Sequence, residues 1–154
     1  MSLPNVGDPA PPIALPDDTG TVHDLTDQRG RWTVLYFYPT DDTTGCTIEA
    51  CEFRDLLPRF DNEQAVVLGI SKDSIASHCK FRDKYELTFA LLSDPTGAMI
   101  EAYGAWGEKN MYGKKSMGIV RSTVVVGPDG KVQKHYAKVK ADGHAAQVLA
   151  DLGA

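Results

Sequence analysis

Residues 32–51 read WTVLYFYPTDDTTGCTIEAC. The first seven of these residues, 32–38, form a continuous run of apolar, β-branched and aromatic side chains, which is typical of a strand buried on both faces. After Cys46, apolar side chains follow at the spacing of one helix face, at positions 48, 53, 56, 57 and 60. The sequence therefore predicts that Cys46 lies where a buried strand passes into a helix.

This predicted position gives Cys46 a particular chemical environment. In open α/β sheets, active sites collect at the carboxyl ends of the strands. The free N–H groups at a helix start and the positive end of the helix dipole both favour a thiolate, which is the nucleophilic form of cysteine. An arbitrary cysteine is more often an inert part of the core, but this position makes Cys46 a candidate reactive residue.

Length and composition narrow the class of protein. The 154 residues are 42% hydrophobic and 24% charged, which predicts one globular domain over residues 1–154. The net charge of −5 gives no reason to expect binding to nucleic acid or to a membrane surface. No apolar run approaches the roughly 20 residues of a membrane helix, and residues 1–5 do not resemble a signal peptide, so a cytoplasmic location is predicted.

The remaining chain supplies the rest of an α/β sheet. A second buried run at 65–70 follows the helix, and strand, helix and strand in this order predict parallel pairing with a right-handed crossover. The other predicted elements are a hairpin of 13–15 with 21–25, a helix from Ser74 to Tyr85, a short strand at 91–92, a helical turn from Asp94, a loop over 104–117, a hairpin of 119–126 with 131–136, and a helix over 143–152. This order predicts a thioredoxin-like α/β fold, with a central mixed β-sheet flanked by helices and an N-terminal β-hairpin.

The residues around Cys46 also resemble a known family. Pro39, Thr43 and Cys46 fall on the Pro-x-x-x-Thr-x-x-Cys motif of peroxiredoxins, which are thiol-dependent peroxidases. The longer blocks 36–55 and 106–123 resemble the peroxiredoxin Q subfamily, also called bacterioferritin comigratory protein. The resemblance extends over nearly the whole chain. One departure is Thr44, where the subfamily commonly has proline, and this change is expected to loosen the loop without removing a catalytic group.

The resemblance implies roles for the residues of the motif and for Arg121. Cys46 would be the peroxidatic cysteine, and Arg121 would stabilise its thiolate and bind the peroxide. Thr43 would orient the incoming oxygen, although capping of the helix explains this residue equally well. Pro39 would fix the loop and shield the thiolate from solvent.

Three acidic residues also lie near Cys46 in the sequence. Asp41 and Asp42 would oppose a thiolate, so the helix terminus and Arg121 must outweigh them. Glu49 lies in the first turn of the predicted helix, where both capping and a polar contact with Arg121 are open. It stays outside the predicted catalytic set.

By the same resemblance, Cys51 would be the resolving cysteine. On an intact helix, five residues correspond to a rotation of about 140° and a rise of about 7.5 Å, which is too far for a disulfide. A Cys46–Cys51 bond therefore requires the first turns of the helix to unwind. The alternative is that Cys51 is a small buried apolar residue. Cys79 is predicted to be a bystander, with a backup resolving role as the alternative, and a Cys/His metal site lacks a familiar spacing.

The predicted function is reduction of hydrogen peroxide and organic hydroperoxides through a cysteine sulfenic acid. An intramolecular disulfide would resolve this acid, thioredoxin or a similar dithiol would reduce the disulfide, and no cofactor or metal is expected. One alternative is a one-cysteine peroxidase resolved by an external thiol, and another is a redox sensor or chaperone. The resemblance favours a monomer, with a weak dimer as the alternative.

Overall fold

The structure is a computed structural model that describes residues 5–25, 30–111, 113–137 and 139–152. Within these residues the elements are β1 (Ala14–Pro16), β2 (Val22–Asp24), β3 (Trp32–Phe37), α1 (Thr44–Asn62), β4 (Ala65–Ser71), α2 (Ile75–Tyr85), β5 (Ala90–Ser93), α3 (Ala98–Ala102), β6 (Trp106–Met111), β7 (Lys114–Ile119), β8 (Ser122–Val126), β9 (Val132–Tyr136) and α4 (His144–Leu152).

Five strands form the central sheet, in the order β5-β4-β3-β8-β9. β3, β4 and β5 run parallel, whereas β8 is antiparallel to both β3 and β9. The predicted central mixed sheet is therefore confirmed, as is the N-terminal hairpin of β1 and β2. β3 is the middle strand, and every residue of β3 after Trp32 is buried, as its apolar sequence predicts.

Alternate side chains of β3 pack into two separate apolar layers. Val34 and Tyr36, with Tyr38 just after the strand, contribute to a core with residues of α1, α2 and α4. Leu35 and Phe37 contribute to the other core, with residues of α3 and the β1–β2 hairpin. Because both faces of β3 are covered, the end of this strand and the start of α1 are held firmly by the core.

The prediction of a loop over 104–117 is wrong. β6 and β7 form an antiparallel hairpin there, in which Trp106 pairs with Ile119 and Gly107 with Gly118. The hairpin is a separate two-stranded sheet, and side chains such as Met117 are exposed, so its sequence lacks the apolar alternation of a buried strand.

The predicted strand over 119–126 is divided in the structure. β7 ends at Ile119 and β8 begins at Ser122, so Arg121 lies between two strands rather than within one. Among the described residues, no helix has the length and apolar character that are needed to cross a membrane.

Candidate active site

Cys46 lies in the first turn of α1, immediately after the loop that leaves β3. Thr43 occupies the N-cap position, and the N–H of Thr47 donates to the carbonyl of Thr43 at 2.8 Å to begin the helical hydrogen bonds. Cys46 is the third helical residue, and only 2% of it is exposed. The prediction that a buried strand passes into a helix around this cysteine is confirmed.

The register between β3 and β8 brings Arg121 next to Cys46. Phe37, the last residue of β3, pairs with Ser122, so the preceding residue Arg121 lies beside the end of β3. Its Nη2 donates to Cys46 Sγ at 3.3 Å. A Cβ at Gly45 would lie 3.0 Å from this Nη2, so the absence of a side chain permits the close approach of the guanidinium.

Glu49 is the second partner of the Arg121 guanidinium. Arg121 Nη1 donates to Glu49 Oε1 at 2.7 Å, and Glu49 is fully buried. The structure thus favours the contact with Arg121 that the sequence left open. Burial raises the pKa of Glu49 to about 7, although Arg121 acts in the opposite direction. Burial tends to lower the pKa of Arg121, but the neighbouring Glu49 and Cys46 outweigh it and raise this pKa.

The other oxygen of Glu49 is unusual. Among the described residues, Glu49 Oε2 and Tyr36 Oη are the buried side-chain oxygens without a hydrogen-bond partner. A buried acceptor without a donor penalises the ionised carboxylate, which agrees with the raised pKa of Glu49.

Thr43 and Pro39 lie in the loop before Cys46. The Thr43 hydroxyl donates to the carbonyl of Thr40 at 2.9 Å, and its side chain makes no capping hydrogen bond to the helix. Thr43 is exposed as a residue. Pro39 is half-buried and lines a cleft of about 280 Å³ together with Trp106 and Met117.

Asp41 belongs to a buried hydrogen-bond network that sequence reasoning missed. Its Oδ1 accepts from Tyr38 Oη at 2.7 Å. Its Oδ2 accepts from Ser77 Oγ at 2.8 Å and lies 2.7 Å from Nδ1 of His78. The other ring nitrogen of His78 lies 3.0 Å from the carbonyl of Leu92. Both ring nitrogens of His78 therefore have an oxygen within hydrogen-bonding distance, so the ring is held between the Asp41 carboxylate and the backbone of β5.

Asp42 makes a second pair with α2. Its carboxylate accepts from Lys84 Nζ and from Tyr85 Oη, each at 2.8 Å. These two hydrogen bonds lower the pKa of Asp42. Both aspartates that were expected to oppose a thiolate are thus paired with α2, by contacts between residues that are distant in sequence.

The other two cysteines lie in different environments. Cys51 is half-buried on α1, and Cys79 is exposed on α2. All three cysteines are free, and Cys46 and Cys51 belong to one continuous helix.

One group of potential metal ligands occurs in the described part of the chain. It consists of Asp41, Asp73 and His78, whose ligand atoms lie within 4.8 Å of one another. It does not include the cysteines that were considered for a Cys/His site. Its members are already hydrogen-bonded, since Asp73 Oδ2 accepts from the N–H of Asp41 at 2.9 Å and from Ser71 Oγ at 2.6 Å.

The sequence matches a family model described as the AhpC/TSA family over residues 6–135. The chain belongs to this family, the peroxiredoxins. A relative from Bacillus subtilis, named peroxiredoxin Bcp, is 43% identical over 147 residues, which cover 96% of this chain and 94% of the relative. The resemblance stated from the motif around Cys46 is therefore confirmed.

Solved structures of the same subfamily are also similar to this peroxiredoxin. The bacterioferritin comigratory protein of Xanthomonas campestris matches with a TM-score of 0.87 and 45% identity, over 92% of this chain and 90% of that protein. That protein of Xanthomonas campestris has alkyl peroxide reduction activity. A PrxQ mutant from Xylella fastidiosa matches with a TM-score of 0.90 and 39% identity, over 99% of this chain and 98% of that one.

These relationships confirm the thioredoxin-like fold and the class of enzyme. The peroxiredoxin is a thiol peroxidase of the Bcp/PrxQ type. Its reaction requires a peroxide substrate and a reductant.

Proposed function

We propose that this peroxiredoxin reduces hydrogen peroxide and organic hydroperoxides at Cys46, that Cys51 resolves the product, and that thioredoxin or a similar dithiol completes the cycle. The observation that carries the proposal is the hydrogen bond of 3.3 Å from Arg121 Nη2 to the buried sulfur of Cys46. A guanidinium stays charged at any working pH, so it favours the thiolate at this position.

In the proposed first step, the Cys46 thiolate attacks one oxygen of the hydroperoxide. An S–O bond forms and the O–O bond breaks, so the sulfur is oxidised to sulfenic acid and the peroxide is reduced to an alcohol or water. The proton of the attacked oxygen moves to the leaving oxygen, and the sulfenate that remains takes up a second proton from water to give the sulfenic acid. Arg121 would stabilise the negative charge during this transfer, the Thr43 hydroxyl would orient the peroxide, and Pro39 would limit solvent access.

In the proposed second step, the thiol of Cys51 attacks the sulfenic acid of Cys46. A disulfide forms and water leaves, so no further oxidant is required. Both residues lie in α1, at a helical separation that is too long for a disulfide. The first turns of α1 must therefore unwind before this bond can form, which also exposes the disulfide to an external dithiol.

The first test is the mass of the intact protein, with peptide mapping under non-reducing conditions, after one equivalent of hydrogen peroxide. A loss of two hydrogens that maps to Cys46 and Cys51 is expected. A link between Cys46 and Cys79 would move the resolving role to α2. The absence of any rapid change at Cys46 would contradict the assignment of this residue as the peroxidatic cysteine.

The second candidate is a one-cysteine peroxidase in which an external thiol resolves Cys46. The observation that favours it is the continuous helix that separates Cys46 from Cys51. A Cys51→Ser variant distinguishes the two candidates by turnover with thioredoxin as reductant. Loss of turnover supports the disulfide cycle, whereas unchanged turnover supports the external thiol. Cys79→Ser is the matched control, since it removes an exposed thiol from the neighbouring helix.

Several finer assignments stay predictions. These are the choice of thioredoxin as reductant, the monomeric state with a weak dimer as alternative, the cytoplasmic location and the single domain over residues 1–154. A readout of slow oxidation without multiple turnover would instead favour a redox sensor or chaperone.

A further inference from the structure

The segment that must unwind for a Cys46–Cys51 disulfide is attached to α2 on both sides. On the N-terminal side, Asp42 accepts hydrogen bonds from Lys84 and Tyr85. On the C-terminal side, Arg54 Nη1 donates to the carbonyl of Tyr85 at 2.6 Å. Tyr85 therefore contacts both flanks of the segment 43–53, which contains the two cysteines.

Asp41 and Asp42 are held to α2 by pairs of different strength. The pair of Asp41 and His78 is almost fully removed from solvent, with 4% and 0% of the side chains exposed. The pair of Asp42 and Lys84 is open to solvent, with 42% and 58% exposed. Breaking the buried pair would leave polar groups without hydrogen-bond partners in the interior, whereas the exposed pair can separate into water at little cost.

The backbone conformation of Asp42 also favours a rotation at this residue. Asp42 has a φ of 57°, in the left-handed region that residues other than glycine seldom occupy. The preceding N–H, that of Asp41, is fixed by its hydrogen bond of 2.9 Å to Asp73 Oδ2. A rotation at Asp42 would release the strained conformation and move its carboxylate away from Lys84 and Tyr85.

We propose that the C-terminal turn of α2 is a clamp that sets the rate of unwinding of α1, with Asp42 as the hinge and Lys84 and Tyr85 as the groups that hold it. This inference rests on the proposed Cys46–Cys51 cycle. The clamp stays closed while Cys46 reacts with peroxide and opens afterwards. Lys84 and Tyr85 are thus positioning residues for the second step.

The clamp affects one step of the cycle and not the other. Sulfenic acid formation uses the folded α1, so it does not require the clamp to open. Disulfide formation uses the unwound segment, and contacts that exist only in the folded form slow it. A weaker clamp therefore accelerates the disulfide and leaves less time for a second peroxide to oxidise the sulfenic acid to sulfinic acid.

The test measures both steps in Lys84→Ala and Tyr85→Phe, by rapid mixing with hydrogen peroxide, thiol trapping and mass determination. Tyr85→Phe removes the hydroxyl but keeps the ring and the carbonyl that accepts from Arg54. Disulfide formation is expected to accelerate about two- to fivefold, the range that an exposed ion pair or one hydrogen bond supports. The rate of sulfenic acid formation is expected to change by less than about twofold, and the yield of sulfinic acid in excess peroxide is expected to fall.

Lys80→Ala is the matched control, because it removes an exposed lysine from the same helix without touching the pair of Asp42 and Lys84. Rates of disulfide formation in Lys84→Ala and Tyr85→Phe equal to those of wild type would overturn the clamp while leaving the disulfide cycle intact. No disulfide in the wild-type protein would overturn the two-cysteine cycle, and the clamp with it.

Hydrogen exchange tests the position of the hinge independently. In the oxidised protein, the amides of residues 43–51 are expected to exchange faster than in the reduced protein. The Asp41 amide is expected to stay protected, since Asp73 accepts its hydrogen bond. Equal acceleration of the Asp41 amide would place the hinge earlier in the chain and contradict the proposal.

Discussion

Arg121 donates a hydrogen bond of 3.3 Å to the sulfur of Cys46, a residue 75 positions earlier in the chain. The same guanidinium donates to Glu49 at 2.7 Å. One planar cation thus connects a buried sulfur with a buried carboxyl group. Its forked geometry allows both hydrogen bonds at once, which a lysine ammonium cannot reproduce in the same way.

Replacement of Arg121 by lysine is expected to slow sulfenic acid formation by about 10- to 100-fold, the range that a hydrogen bond between charged groups supports. The positive charge is kept, so the loss measures the geometry of the two hydrogen bonds. The measurement is rapid mixing with peroxide followed by thiol trapping. Arg59→Lys, at the exposed end of α1, is the control and should react as wild type. Equal rates for both variants would exclude a role of the Arg121 geometry in the reaction.

The hydroxyl of Thr43 is expected to contribute to the same step. Thr43→Val is expected to react with peroxide about tenfold more slowly, because the variant loses a hydrogen-bonding group near the substrate. Thr43→Ser keeps the hydroxyl and should stay within about twofold of wild type. Thr44→Val changes the neighbouring exposed threonine and serves as the control. A Thr43→Val variant with wild-type rates would limit the hydroxyl to its hydrogen bond with Thr40.

Glu49 is expected to make the stability depend on pH. Its pKa is raised from 4.5 to about 7, so the folded protein retains a proton that the unfolded chain releases. The stabilisation from this proton is complete below pH 4.5 and is lost as the pH rises to about 7. Glu49→Gln does not titrate, so its free energy of unfolding should rise relative to wild type over this range by up to about 3 kcal/mol.

Urea denaturation of both proteins between pH 4.5 and 8 measures this difference. The control is Glu63→Gln at the exposed end of α1. The difference between its free energy of unfolding and that of wild type should not rise with pH as it does for Glu49→Gln. A constant difference between Glu49→Gln and wild type across the range would show that Glu49 does not hold a proton in the folded state.

The strand, loop and helix around Cys46 were predictable because their apolar residues are periodic and close in sequence. β3 and α1 each follow one pattern over many residues, so the local sequence is sufficient. The position of Arg121 came from the family motif alone. The pairing of Phe37 with Ser122 supplies the physical reason, since it aligns the start of β8 with the end of β3.

Other parts of the site have no such local signal. The contact of Asp41 with His78 joins residues 37 positions apart, and it exists because α2 packs beside the loop that follows β3. The β6–β7 hairpin was missed because its exposed residues do not alternate. Charges near Cys46 could be counted from the sequence, but their partners depend on how distant elements pack.

His144 is expected to act on stability in the opposite direction to Glu49. Burial, followed by the charge of Arg121, lowers the pKa of His144 from 6.5 to about 4. Its ring lies 2.8 Å from the hydroxyl of Thr123. The unfolded chain therefore binds a proton that the folded protein excludes, so this contribution is complete above pH 6.5 and is lost as the pH falls towards 4.

In the wild-type protein these two effects overlap between about pH 4.5 and 6.5 and partly cancel. Relative to wild type, the free energy of unfolding of Glu49→Gln is expected to rise with pH in this range. That of His144→Gln is expected to fall relative to wild type. The double variant should return towards the wild-type slope, and His135→Gln on β9 is the control for loss of a histidine. Denaturation curves of all four variants at matched pH measure the slopes. Slopes of the same sign in the two single variants would contradict the assignment of opposite proton preferences to Glu49 and His144.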